Sequence, residues 1–269
     1  MSEPFYHDID SFLHIKKWQT INKKLRAGFT TRIGGISKEP FATFNLGLHV
    51  PDDNNDVVAN RRLLANKLAF PLNNWVAAEQ VHSANTVEVN RNDKGKGAVT
   101  FEDSLAGTDG IFTNESGLLC TAFFADCVPL FFFDPVSGYI GIAHAGWKGT
   151  VKRIAEKMVE KLLMAGSKTN DILVVIGPCI SQKAYEVDAR VVHHIPVELH
   201  DKTVTKQGNN RYLLDLKQLN TEILLQCGIL RHNIDITNYC TFQEESLFFS
   251  HRRDNGKTGR MLGYIGYLP

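Results

Sequence analysis

The longest apolar run in the chain, GLLCTAFFADCVPLFFF, spans residues 117–133 and is broken by Asp126 and Pro129. Its aromatic density fits buried strands, and its length predicts two of them, Leu118–Phe124 and Leu130–Phe133. The second forms a hairpin with Tyr139–Ala143 around the turn Asp134-Pro-Val-Ser-Gly138. Shorter apolar runs predict strands at Ala77–Ala78, Thr86–Val89, Ile172–Ile176, Ile234–Thr237, Leu247–Phe249 and Met261–Tyr267. A different period marks Thr150–Ala165. There Val151, Ile154, Ala155, Met158, Val159, Leu162 and Leu163 form one helical stripe, and Gly166 is placed to end it. Leu214–Cys227, stopped by Gly228, and Asp56–Leu68 repeat that pattern. Polar stretches at Pro51–Asp56, Arg91–Asp103 and Glu198–Arg211 read as surface loops. Strands and helices mix without strict alternation, which predicts an α+β fold. No repeat or linker divides residues 1–269, so a single domain is expected.

Composition narrows the partners. Thirty basic and 29 acidic side chains give a net charge of +1, so no field of one sign points to nucleic acid or an anionic membrane. No apolar run reads as a membrane span, and the acidic residues near the N-terminus do not suit a signal peptide. Five cysteines without an export signal are expected to stay reduced in a cytoplasmic protein.

The candidate chemistry sits where apolar runs end. AEQVHSAN carries His82, FFADCVP carries Cys127 and IGIAHAGWKG carries His144. Two imidazoles and a thiolate are donors of the kind that bind catalytic zinc with one position left open. Their spacing alone cannot assemble them, and each has a plainer reading as an edge-strand histidine, an inert core thiol or a satisfied loop histidine. Asp126 beside Cys127 favours a site, because a carboxylate in an apolar run is costly unless paired or near water. Cys120, Cys179, Cys227 and Cys240 read as packing residues. Gln80 shares a strand face with His82. Lys148 lies beside an expected helix start at Thr150, and Arg32 precedes the pair Gly34-Gly35; both suit an anion. Asn45 in FNLGLHV and Arg252 in FFSHRRDNGKTGR complete the candidates for substrate contact, though solvated loops explain those charges equally well.

In order along the chain, TTRIGGIS, FNLGLHV, NRRLL, EQVHS, ADCVPLFFFDP, AHAGWKGT, IGPCIS, YEV and FFSHRRDNGKTGR resemble the bacterial laccase-domain family over about Gly28–Tyr267. The resemblance implies layered mixed β-sheets with flanking helices, a fold similar to that of cysteine-type bacterial toxin deamidases. It implies one zinc on His82, Cys127 and His144; copper, which outcompetes zinc at many nitrogen and sulfur sites, could replace it in vitro. It also implies phosphorolysis of adenosine, inosine and methylthioadenosine, plus deamination of adenosine. The partners would then be purine nucleosides and phosphate, with monomer and homodimer both open. Ser83 stands where many members carry glycine, and Lys148 where arginine is common. A lysine there keeps the charge but not the planar fork. Asp126 is the candidate proton shuttle for deamination. Three rival readings stay open: a metal-free hydrolase or deamidase with Cys127 as nucleophile and His144 as base; copper-dependent phenol oxidation; and a non-catalytic binding protein with a structural zinc. A full multicopper laccase is disfavoured, since the ten histidines include no His-x-His pair.

Overall fold

The computed structural model describes residues 2–9 and 11–269. The chain opens with strands β1 (Tyr6–Ile9) and β2 (Phe12–His14), helix α1 (Lys16–Ile21) and β3 (Leu25–Thr30). Next come α2 (Asn54–Leu68), β4 (Trp75–Ala77), β5 (Thr86–Glu88) and β6 (Gly110–Thr113). The apolar centre supplies β7 (Leu119–Phe124), β8 (Val128–Phe133) and β9 (Ile140–Ala145), then α3 (Trp147–Val151), α4 (Ile154–Met164) and β10 (Leu173–Ile176). After β11 (Glu186–Asp188) follow α5 (Ala189–Val192), α6 (His200–Thr203), β12 (Val204–Gly208) and β13 (Arg211–Leu214). Helix α7 (Leu216–Gln226), β14 (Ile234–Ile236) and β15 (Met261–Tyr267) close the fold.

Two six-stranded sheets, β1-β2-β3-β15-β7-β4 and β14-β10-β8-β9-β6-β5, stack face to face, and a three-stranded sheet, β11-β13-β12, stands apart from them in pairing. The period-two pattern explains the stacking. In β7, Cys120, Ala122 and Phe124 enter a shared core with Phe131 and Phe133 of β8 and Ile140 and Ile142 of β9. The alternate residues face outwards: Leu119 and Phe123 pack with Leu64 and Leu68 of α2, whereas Leu130 and Phe132 pack with Met158 of α4 and Leu219 of α7. Both faces of each sheet are covered, so the sequence reads as an unbroken apolar run. The result is an α+β stack of helix, sheet, sheet and helices, as expected.

Several boundaries differ from the sequence reading. Pro129 lies inside β8, near its first residue, where its carbonyl accepts from Gly177 N and no amide is needed. The helix expected over Thr150–Ala165 begins at Trp147 and is interrupted at Arg153, whose φ of +64° is left-handed. Apolar periodicity carries no signal for that break. Leu247–Phe249 is not a strand; Phe248 and Phe249 are buried and Leu247 half-buried in turns and irregular chain. The expected loop Glu198–Arg211 instead contains α6 and β12, an exposed strand whose polar face removed the hydrophobic signature. Asp53 caps α2 by accepting from Asn55 N, so that helix starts at Asn54, two residues earlier than expected.

Candidate metal centre

The chain passes from one stacked sheet to the other in two places that matter. His82 lies in the link from β4 to β5, and Cys127 in the link from β7 to β8. The antiparallel register of β8 with β9 sets Val128 opposite Ala145 and Pro129 opposite His144. Continued by one residue, that register brings Cys127 beside Gly146. A Cβ on Gly146 would lie 2.8 Å from Cys127 Sγ and 2.9 Å from His82 Cδ2, so only glycine lets the side chains meet. The donor atoms of His82, Cys127 and His144 all lie within 4.8 Å of one another. Cys127 Sγ is 3.9 Å from His82 Nε2, and the two imidazoles meet edge to face at 4.8 Å. The left-handed φ of His82, +58°, sits at this convergence.

A buried carboxylate that the sequence reading missed organises the trio. Asp109 Oδ1 lies 2.9 Å from His144 Nδ1 and accepts from His82 N at 3.0 Å. Its Oδ2 accepts from Val81 N, Ser83 N and Ser83 Oγ at 3.2, 2.7 and 2.8 Å. One side chain therefore orients one histidine and ties down the backbone of the other. Burial pushes the Cys127 thiol up, but His144 and His82 outweigh it and bring the group down to about 6. Burial pushes His144 down, and the Cys127 and Asp109 charges reverse this to about 9. Each group thus favours the charged form of the other, drawing the thiol toward thiolate and the imidazole toward imidazolium. Burial leaves Cys120 and Cys179 at about 12 and Cys227 at about 11, as packing thiols.

These donors fit a metal. Two ligands of a tetrahedral zinc stand roughly 3.5 Å apart, close to the 3.9 Å between Cys127 Sγ and His82 Nε2. With Nδ1 of His144 engaged by Asp109, Nε2 remains for the ion, an arrangement common for metal-bound histidine. Among the described residues this is the one cluster of three or more potential metal ligands.

A family model described as multi-copper polyphenol oxidoreductase laccase matches residues 26–268. The chain belongs to this laccase family. It is 46% identical over 270 residues to purine nucleoside phosphorylase YlmD of Bacillus subtilis (strain 168), covering 98% of this chain and 97% of that protein. It is 48% identical over 247 residues to the protein of the same name from Geobacillus stearothermophilus, covering 89% of each. The crystal structure of Geobacillus stearothermophilus YlmD matches with a TM-score of 0.95 at 43% identity, covering both chains fully. That of the Bacillus licheniformis hypothetical protein YfiH also reaches 0.95, at 42% identity over 99% of this chain and 100% of that one. Within the laccase family this chain does not fit the multi-copper description. A single His-Cys-His cluster among its described residues cannot house the several copper sites of a laccase.

The trio opens into a cavity of about 520 Å³, within the usual range of small-molecule sites, roughly 300–1,000 Å³. Its lining includes Phe123, Trp147, Tyr185 and Leu216, together with His49, Lys148, His251, Arg252 and Arg260. Lys148 is exposed, with Nζ 5.7 Å from the Trp147 ring. Arg252 stacks on Tyr185 at 5.1 Å and donates to Glu186 O. Gln80 also lines the cavity, but its amide is doubly engaged by Phe123 N and O at 2.7 and 2.8 Å, extending β7.

Two sequence candidates lie off the cavity wall, and a third lines it with its carboxylate already engaged. Arg32 does not line the cavity; its Nε and Nη2 both donate to Ala42 O, and its guanidinium stacks on Phe249. Asn45 is fully buried and also off the wall, where its Oδ1 accepts from Arg260 N and Gly47 N. Asp126 lines the cavity with a φ of +89°, but its carboxylate accepts from Thr241 Oγ1, Ser250 Oγ and Arg252 N at 2.7, 3.0 and 2.7 Å. It anchors the Ser250–Arg252 turn, and the shuttle role expected of it finds a carboxylate already held by three donors. His49, Tyr185 and Arg260 were missed. The available signal was their place in the motifs FNLGLHV, YEV and KTGR; for Asp109 it was a lone acid at the mouth of β6.

Proposed function

We propose that the protein is a metal-dependent purine nucleoside phosphorylase, acting on adenosine, inosine and methylthioadenosine, that also deaminates adenosine. The observation that carries this reading is the convergence of His82, Cys127 and His144 in a cavity whose other walls are aromatic and cationic. Similarity to proteins named purine nucleoside phosphorylase supports the substrate class. His82, Cys127 and His144 would hold zinc, whose Lewis acidity would serve both reactions. The site residues divide the remaining work. Asp109 fixes the His144 tautomer and the His82 backbone. Phe123, Trp147 and Tyr185 offer apolar faces to a purine. The cationic side chains Lys148, Arg252 and Arg260 raise the local concentration of phosphate. In phosphorolysis a phosphate oxygen bonds to C1′ as the C1′–N bond breaks, and the released base takes up one proton. In deamination water adds at C6 and ammonia leaves. Residues 1–269 carry this as one domain, in a cytoplasmic enzyme.

Purified protein incubated with adenosine or inosine, with and without phosphate, is expected to give free base and ribose 1-phosphate only when phosphate is present. Inosine from adenosine is expected in both cases. Cys127→Ala should lose metal and both activities together; phosphorolysis surviving in the metal-free variant would refute the shared site. The contact of Cys127 with the two imidazoles, which draws its thiol toward thiolate, favours a second reading, a metal-free Cys–His hydrolase or deamidase. Under that reading chelation leaves activity intact and iodoacetamide abolishes it.

A further inference from the structure

The motif FNLGLHV, expected to contact substrate through Asn45, instead shapes the wall around Arg260. Asn45 Oδ1 holds Arg260 N at 2.8 Å, and Leu46 N donates to Arg260 O at 3.1 Å. A Cβ on Gly47 would lie 2.7 Å from Arg260 Cγ and 3.2 Å from His49 Cε1, so the glycine makes room for both side chains. Arg260 uses Nη1 on the carbonyls of Thr258 and Gly259, at 2.7 and 3.0 Å. Among the described residues its Nε and Nη2 have no hydrogen-bond partner, and no carboxylate pairs with it. Behind this wall lies Arg61, 1% exposed, donating only to the carbonyls of Leu46, Gly97 and Ala98. Arg61 has the Asp103 charge within reach, whereas Arg260, half-buried in the cavity wall, keeps a fork that an anion would complete.

The other cations are less suited. The Arg32 fork is closed on Ala42, Arg252 is exposed to solvent with Nη1 on the Glu186 carbonyl and its plane on Tyr185, and Lys148 is an exposed point charge. Arg260 keeps two adjacent N–H groups for planar, bidentate recognition. Burial pushes its guanidinium down, while the Cys127 and Asp126 charges push it back up, which places it within electrostatic reach of the trio.

We propose that Arg260, flanked by His49 and held by Asn45 and Gly47, is the subsite for a phosphate oxyanion in the cavity that holds the trio. This rests on the phosphorolysis reading for its purpose but not for its test, which reads binding directly. Calorimetric titration of the metal-loaded protein with inorganic phosphate, and separately with adenosine 5′-monophosphate, distinguishes free phosphate from a nucleotide phosphoryl group. Arg260→Met is expected to weaken whichever of these binds by at least tenfold, while adenosine binding stays within threefold. Because that variant can misfold, the wild type provides a second readout. Phosphate should slow phenylglyoxal modification of Arg260, followed by peptide mass spectrometry, and leave that of Arg252 unchanged. Unchanged anion affinity in Arg260→Met, or anion binding removed by Lys148→Ala instead, would overturn the subsite. Anion binding lost in Arg260→Met by a protein that turns over no nucleoside would leave the subsite standing and reject only the phosphorylase reading.

Discussion

Asp109 and Asp126 are both buried beside the trio, yet they hold different regions. Asp109, far from any ligand in sequence, accepts from the His82 segment and meets His144. Asp126, the direct neighbour of Cys127, accepts from Thr241, Ser250 and Arg252, all contributed by the segment 241–252. Adjacency in sequence to a candidate ligand therefore says little about which region a carboxylate holds. A carboxylate is assigned by the donors that surround it, and the two regions should respond differently to its loss.

The largest effect is expected from His144→Ala, which removes a ligand and strips Asp109 of its imidazole partner. Breaking such a buried pair costs roughly 3–5 kcal/mol, so urea unfolding should show a loss of that order along with loss of metal. Next is Asp109→Asn, which keeps the size but fixes one amide edge as a donor toward backbone N–H groups. Metal affinity should fall about 10–100-fold, the usual cost of losing such an outer partner, as measured by competition with a chromogenic chelator. Asp126→Asn should leave metal affinity within about threefold, because hydroxyls of Thr241 and Ser250 can reverse to accept and asparagine tolerates a left-handed φ. Its mark should be a raised KM. If Asp126→Asn stripped the metal and Asp109→Asn did not, the division of labour would be reversed.

A third buried carboxylate, Asp134, is a control remote from the trio. Burial raises its pKa, but hydrogen bonds from Ser137 and Ser167 and the amides of Val136 and Ser137 outweigh this and hold it below the usual carboxylate value. A depressed folded-state pKa stabilises above the unfolded value and ceases to do so as pH falls through the folded one. Asp134→Asn should therefore lose about 1–2 kcal/mol at pH 7, with the difference from wild type shrinking below about pH 4. Metal content should not change.

The sequence made the layers legible because strands covered on both faces leave continuous apolar runs, as in residues 117–133. It concealed β12, which is largely exposed, and β13, which is half-buried, and the helix break at Arg153, which depends on one left-handed residue. The ligands were readable as chemically apt side chains ending buried strands. What sequence spacing could not supply was convergence, which comes from the β8–β9 register and from two links crossing between sheets. Asn45 and Arg32, polar residues in specific motifs that were expected to touch substrate, lie off the cavity wall and hold backbone beside it.

Elemental analysis by mass spectrometry of protein purified without chelator tests the central claim most directly. The expected result is one zinc per chain in the wild type and in Asp126→Asn, and none in Cys127→Ala. A wild-type protein without stoichiometric metal, or a Cys127→Ala variant that retains it, would contradict a metal centre built on His82, Cys127 and His144.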